Sequence, residues 1–147
     1  MILIGIDPGV KTGIGYINGN EKKAESMAIH RAMSFVNHCF LTYGKIHVRV
    51  EDARKRKWFG NNSNEKMQGA GSVKRDCKIW EDFLDDLSNS NPGKLTFELI
   101  HPVKNATKLN QGVFKRTTGI VGRTNEHGRD AYMLIHNFQP LEYAGFN

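Results

Sequence analysis

Asp7, Glu51, His127 and Asp130 are the residues whose types and placement could do chemistry together in this chain. Asp7 ends the apolar run Ile2-Leu3-Ile4-Gly5-Ile6 and precedes Pro8-Gly9. Glu51 ends the alternating run Ile46-His47-Val48-Arg49-Val50, with Asp52 beside it. His127 and Asp130 stand three apart, so on a helix they share a face. If the two strands are neighbours and a helix packs across their ends, the four groups converge. Oxygen-rich clusters of this kind hold magnesium or manganese, and one imidazole is compatible with manganese. Bound divalent cations offset the mutual repulsion of clustered carboxylates.

Each residue also has a plainer reading. Asp7 and Asp52 are at home in turns. His127 suits an exposed helix start. Asp130 suits a helix cap or an ion pair with Arg129 or Arg123. Only the four positions together point to a metal site.

The elements that must position these groups follow from hydropathy patterning. Met1–Ile6 reads as a buried strand and Thr12–Ile17 as a second. Asn18-Gly19-Asn20 reads as a hairpin turn leading to a short third strand over Lys22–Ser26. Ile29, Ala32, Met33, Val36, Cys39, Phe40 and Tyr43 recur at helical spacing, and Gly44 ends that helix. A strand over Ile46–Val50 follows, then a polar loop from Ala53 to Asn64. Val73, Cys77, Trp80, Leu84 and Leu87 mark a second helix. Asn91-Pro92-Gly93 is a turn before a strand over Leu95–Ile100. Phe114–Gly119 opens a short helix. A last helix over Asp130–Phe138 starts there or a few residues earlier. The order predicts one α/β domain over 1–147, a mixed sheet flanked by helices.

Composition bounds the partners. The 147 residues suffice for a proper core. No apolar run approaches a membrane span, and the first one lacks a basic lead-in, so a cytoplasmic protein is expected. Cys39 and Cys77 form no CxxC pair and read as buried thiols. Lys plus Arg outnumber Asp plus Glu by 21 to 15, which favours a polyanionic partner.

With these residues in view, the chain resembles the RuvC Holliday-junction resolvases, within the ribonuclease H-like nucleases. Ile4-Gly5-Ile6-Asp7-Pro8-Gly9 with Thr12-Gly13-Ile14-Gly15 resembles that family's first motif. Val50-Glu51 is similar to its second acidic motif, and Gly69-Ala70-Gly71-Ser72-Val73 to the Gly-rich start of its long second helix. Pro102-Val103-Lys104 and Lys115 resemble its two DNA-contacting lysines. His127-Gly128-Arg129-Asp130-Ala131 resembles its closing motif. The likeness runs through nearly the whole chain in order.

The resemblance implies a ribonuclease H-like α/β fold and a homodimer on branched DNA, chiefly four-way junctions. It implies paired symmetric nicks leaving 5′-phosphates, in DNA recombination and repair. Asp7, Glu51, His127 and Asp130 would ligate or orient two Mg²⁺ ions per subunit, with Mn²⁺ as a substitute. Two such ions serve the attacking water and the leaving oxygen, and a rigid strand end makes Asp7 the best bridge between them.

Arg54-Lys55-Arg56-Lys57-Trp58-Phe59 puts four cations beside two aromatics. The cations would neutralise phosphates, and the aromatics could stack on unpaired bases or fold back on the core. Lys104, Lys108, Lys115 and Arg116 extend the basic surface. Relative to the family, the first hairpin and the Lys115–His127 stretch are short, and the loop after Glu51 is unusually basic. That compact form looks like a phage or prophage member. Alternative readings are a broader branched-DNA or flap endonuclease, a catalytically weak junction-binding protein, and an actin-like ATPase lobe, for which the chain is short.

Overall fold

The computed structural model describes residues 1–55, 64–102 and 108–140, and of residues 64–70 the backbone alone. Five strands form one mixed sheet: β1 Ile2–Asp7, β2 Lys11–Asn18, β3 Glu21–Ala28, β4 Ile46–Glu51 and β5 Leu95–Ile100. Their spatial order is β3-β2-β1-β4-β5. β1, β2 and β3 pair antiparallel, whereas β4 runs parallel to β1 and β5 parallel to β4. This α/β arrangement is the expected class and is compatible with a ribonuclease H-like fold.

The third strand is longer than the sequence suggested. It pairs with all of β2, from Asn18 opposite Glu21 to Lys11 opposite Ala28. Its polar residues hid the strand pattern, because an edge strand leaves much of its length in water.

Strand alternation sends one set of side chains to each face. Ile2, Ile4 and Ile6 of β1 and Ile46, Val48 and Val50 of β4 build the larger core. Two helices cover it: α1 (Ile29–Tyr43) brings Ala32, Val36, Cys39 and Phe40, and α2 (Asn64–Ser90) brings Trp80 and Leu84. Gly44, at φ 80°, ends α1 in the left-handed conformation, as its position predicted. α2 starts before the Gly69–Val73 stretch rather than at it. Cys39 and Cys77 are buried free thiols.

The opposite face is thinner. Leu3, Ala24, Phe114, Tyr132 and Ile135 form its core, drawing on α3 (Gln111–Thr118) and α4 (Glu126–Met133). α4 begins a few residues before Asp130, as expected, and ends earlier than the hydropathy pattern indicated. Asn125 caps its start, its side-chain oxygen accepting from the Gly128 N–H at 2.8 Å. Beyond Met133 the chain leaves the helix, and Asn137 turns through φ 59°. That turn folds Phe138 back onto the sheet. Its ring stacks on His47 at 5.4 Å and lies 4.0 Å beneath the Arg49 guanidinium.

Among the described residues no helix is long and apolar enough to cross a membrane.

Candidate functional site

α4 packs directly on β1 and β2 because three glycines let it. A Cβ on Gly5 would stand 2.0 Å from the Ala131 carbonyl oxygen, and one on Gly13 2.0 Å from that of His127. A Cβ on Gly15 would stand 2.4 Å from the Tyr132 Cα. The contact is reciprocal, since a Cβ on Gly128 would reach within 2.8 Å of the Glu25 backbone. Helix and sheet backbones thus meet without intervening side chains. Gly13 and Gly15 of the Thr-Gly-x-Gly run form the seat of this helix.

That seat brings together two of the four expected residues directly. Asp7, at the end of β1, points to the α4 face, and His127 Nδ1 donates to its Oδ2 at 3.2 Å. The two residues are 120 positions apart in sequence. The Asp7 side chain is 19% exposed and that of His127 55%, so the pair lies at a solvent boundary. Burial pushes the Asp7 carboxyl up from 3.8 to about 6. The His127 hydrogen bond pulls it partly back, and the charge of Asp130 adds to the rise.

Asp130 lies one helical turn beyond His127. Burial raises its carboxyl too, and the charge of Glu126 adds to that. Its Oδ1 accepts the Lys108 backbone N–H at 2.7 Å, which favours the charged form. The plainer roles considered for Asp130 fall to other residues. Asn125 caps the helix, and Arg129 donates to the carbonyls of Leu109 and Thr124.

Glu51 ends β4, the parallel neighbour of β1. Ile6 pairs with Val50, so Asp7 and Glu51 are the next positions on two strands about 4.8 Å apart. Alternation places both on the α4 face. The backbone carbonyl of Glu51 accepts a weak S–H hydrogen bond from Cys77 at 3.8 Å, tying the strand end to α2. Among the described residues, no three His, Cys, Asp or Glu side chains are close enough to enclose one metal ion. The donor types nevertheless suit a hard divalent cation. Two carboxylates raised by burial, with an imidazole on one, are an arrangement that a nearby positive charge would relieve.

Asp52, adjacent to Glu51, has a different task. Only 2% exposed, it takes both the Nε and Nη2 of Arg54, at 2.8 and 2.9 Å, and the Arg54 N–H at 3.0 Å. Burial works against the Asp52 charge, but the Arg54 bonds and charge outweigh it and hold the carboxyl below its ordinary range. Arg54 also reaches Glu81 at 3.3 Å. Its guanidinium is therefore engaged with carboxylates, although its place in a basic run had suggested phosphate contact. The adjoining Lys55 sits in a single 3₁₀ turn over Ala53–Lys55 and donates to the Leu99 carbonyl at 2.7 Å. A run of cations reads alike in sequence whether it faces a polyanion or a buried acid.

The remaining basic positions divide. Lys108, Lys115 and Arg116 are exposed, the last two in the final turn of α3. Arg56, Lys57, Trp58, Phe59 and Lys104 lie outside the described residues.

Comparison with models of known protein families gives no match, and no curated protein matches the chain at a significant level.

Proposed function

We propose that this protein is a metal-dependent, structure-selective DNA endonuclease that resolves four-way junctions. The observation that carries the reading is the meeting of Asp7 and His127 at the end of β1. Glu51 ends the next parallel strand on the same face, and Asp130 follows His127 on α4. The likeness of these motifs to RuvC resolvases, in order along the chain, supports the same reading.

Asp7, Glu51 and Asp130 would hold the cations, with His127 ligating or orienting. Bound Mg²⁺ or Mn²⁺ would lower the pKa of water and counter the charge on the departing oxygen. The chain's own groups do the rest. Asp7 and Glu51 are fixed by strand pairing and cannot drift with a loop. His127 donates from Nδ1 to Asp7, which leaves Nε2 on the far side of the ring to take a proton from water. Hydrolysis forms one phosphorus–oxygen bond from water and breaks the bond to the 3′ oxygen, leaving a 5′-phosphate. Exposed Lys108, Lys115 and Arg116 supply cations for the DNA backbone.

The decisive experiment is cleavage of an end-labelled four-way junction with Mg²⁺ or Mn²⁺. Linear duplex, flap and Y-shaped DNA run beside it, with Asp7→Asn as control. Paired symmetric cuts confined to the junction, lost in Asp7→Asn while binding persists, are expected. Cuts in every branched substrate would make it a general branched-DNA nuclease. Binding without cutting would make it a junction-binding protein. The absence of both binding and cutting would overturn the proposal. A homodimer is part of it, and light scattering at working concentration checks that.

A further inference from the structure

Two consecutive residues of α4 grip two consecutive residues of the segment that leads into α3. Asp130 Oδ1 accepts the Lys108 N–H at 2.7 Å, and Arg129 Nε donates to the Leu109 carbonyl at 2.7 Å. Arg129 extends the grip. Its Nη1 donates to the Thr124 carbonyl at 2.7 Å and meets the Thr124 hydroxyl at 3.2 Å. Each acceptor of Arg129 is neutral, so this guanidinium is used for its fork shape more than for its charge. It spans the approach to α3 and the approach to α4.

Lys108 itself is held at φ 61°, a left-handed conformation that is costly for a residue with a side chain. Such a conformation persists where its surroundings over-determine it. Here the N–H of Lys108 is taken by Asp130, and the next carbonyl is taken by Arg129. Lys108 is exposed, while its backbone binds the Asp130 carboxylate.

We infer that Arg129 is a positioning residue: it locks the Lys108–Leu109 backbone so that the Lys108 N–H aims the Asp130 carboxylate. The inference rests on the nuclease reading and deepens it. A basic side chain that meets DNA and an acid of the site are joined through one peptide. Loss of the fork frees the Lys108 backbone to leave its strained conformation, and Asp130 then loses its fixed donor.

Three readouts on full-length protein test this: amide exchange of Lys108 in metal-free protein, thermal unfolding, and steady-state junction cleavage. The variants are Arg129→Met, which keeps the stem, and Arg129→Lys, which keeps the charge without the fork. In the wild type the Lys108 amide is expected to be protected. Both variants are expected to lose at least tenfold of that protection while amides of β1 and β2 keep theirs. Both are expected to lower kcat at least tenfold with KM nearly unchanged. Wild-type kcat in variants whose Lys108 amide has opened would overturn the inference. A rise in KM alone, restored by Arg129→Lys, would also overturn it and make Arg129 a phosphate contact. Uniform loss of protection across the sheet would reduce Arg129 to a fold residue. A wild type that cuts no branched DNA overturns the nuclease reading itself, and that outcome is visible before any variant is made.

Discussion

Gly13 lies directly beneath His127, so closely that a Cβ on it would stand 2.0 Å from the His127 carbonyl oxygen. The obstructing atom is backbone, and α4 cannot yield locally. Gly13→Ala is therefore expected to lift the first turn of α4 and separate His127 from Asp7. A destabilisation of about 1–3 kcal/mol, typical of overpacking, is expected in urea unfolding. Cleavage should fall further than stability does. Gly44→Ala makes a useful comparison, since nothing lies within 4 Å there and its penalty comes from its φ of 80°.

Asp7 is held at the expense of stability. Its folded-state carboxyl titrates at about 6 against an ordinary 3.8. The folded pKa is raised, so the ionised form is disfavoured in the folded protein. That cost is full above about 6 and disappears as pH falls toward about 4. Asp7→Asn is thus expected to raise the melting temperature of metal-free protein at pH 7.5, by a gain of order 1–3 kcal/mol. The gain should vanish near pH 4. Added Mg²⁺ should stabilise the wild type and leave the variant unmoved.

The Asp52–Arg54 pair titrates the other way. Asp52 is depressed below its ordinary range, so its contribution is present above about pH 4 and is lost as pH falls through the folded value. Arg54→Met strands a nearly buried carboxylate, and a loss of about 3–5 kcal/mol is expected at neutral pH. The difference between variant and wild type should shrink in acid. Chemical denaturation at pH 7 and pH 3 measures both ends.

If the basic surface binds DNA as proposed, Lys115 and Arg116 should report it through salt. Replacing both with Gln is expected to reduce the slope of log K against log salt by about 2, close to 0.9 per phosphate contact. Arg54→Met should leave that slope unchanged, since its guanidinium is already engaged by Asp52 and Glu81. Fluorescence anisotropy on a four-way junction across a salt series separates the two cases.

Much of this architecture is legible in the sequence where a strong pattern acts alone. Alternating β-branched residues mark β1 and β4, and the parallel pairing of these two strands puts Asp7 and Glu51 side by side. The face shared by His127 and Asp130 was readable from spacing. β3 was underestimated because an edge strand needs few apolar residues. The start of α4 was set by Asn125, whose capping role depends on which residues follow in helical conformation. The pairing of Arg54 with Asp52 was not legible, because nothing local distinguishes a cation facing solvent from one that returns two residues to a buried Asp. The role of the glycines was also hidden. The Thr-Gly-x-Gly run reads as part of a strand, and only the packed helix shows that Gly13 and Gly15 are beneath it.

The span between Asp7 and His127 bears on the birth of the chain. The first carboxylate is translated well before its imidazole partner, which follows 120 positions later. At roughly 5–20 residues per second, a nascent chain spends about 6–24 seconds with Asp7 in place and no α4 to meet it. The hairpins of β1, β2 and β3 can close during that interval, because their contacts are local. The site itself cannot. A ribosome-bound chain still lacking α4 carries the strands and their acids but not the His127 partner, so the pair can assemble only once α4 has been made.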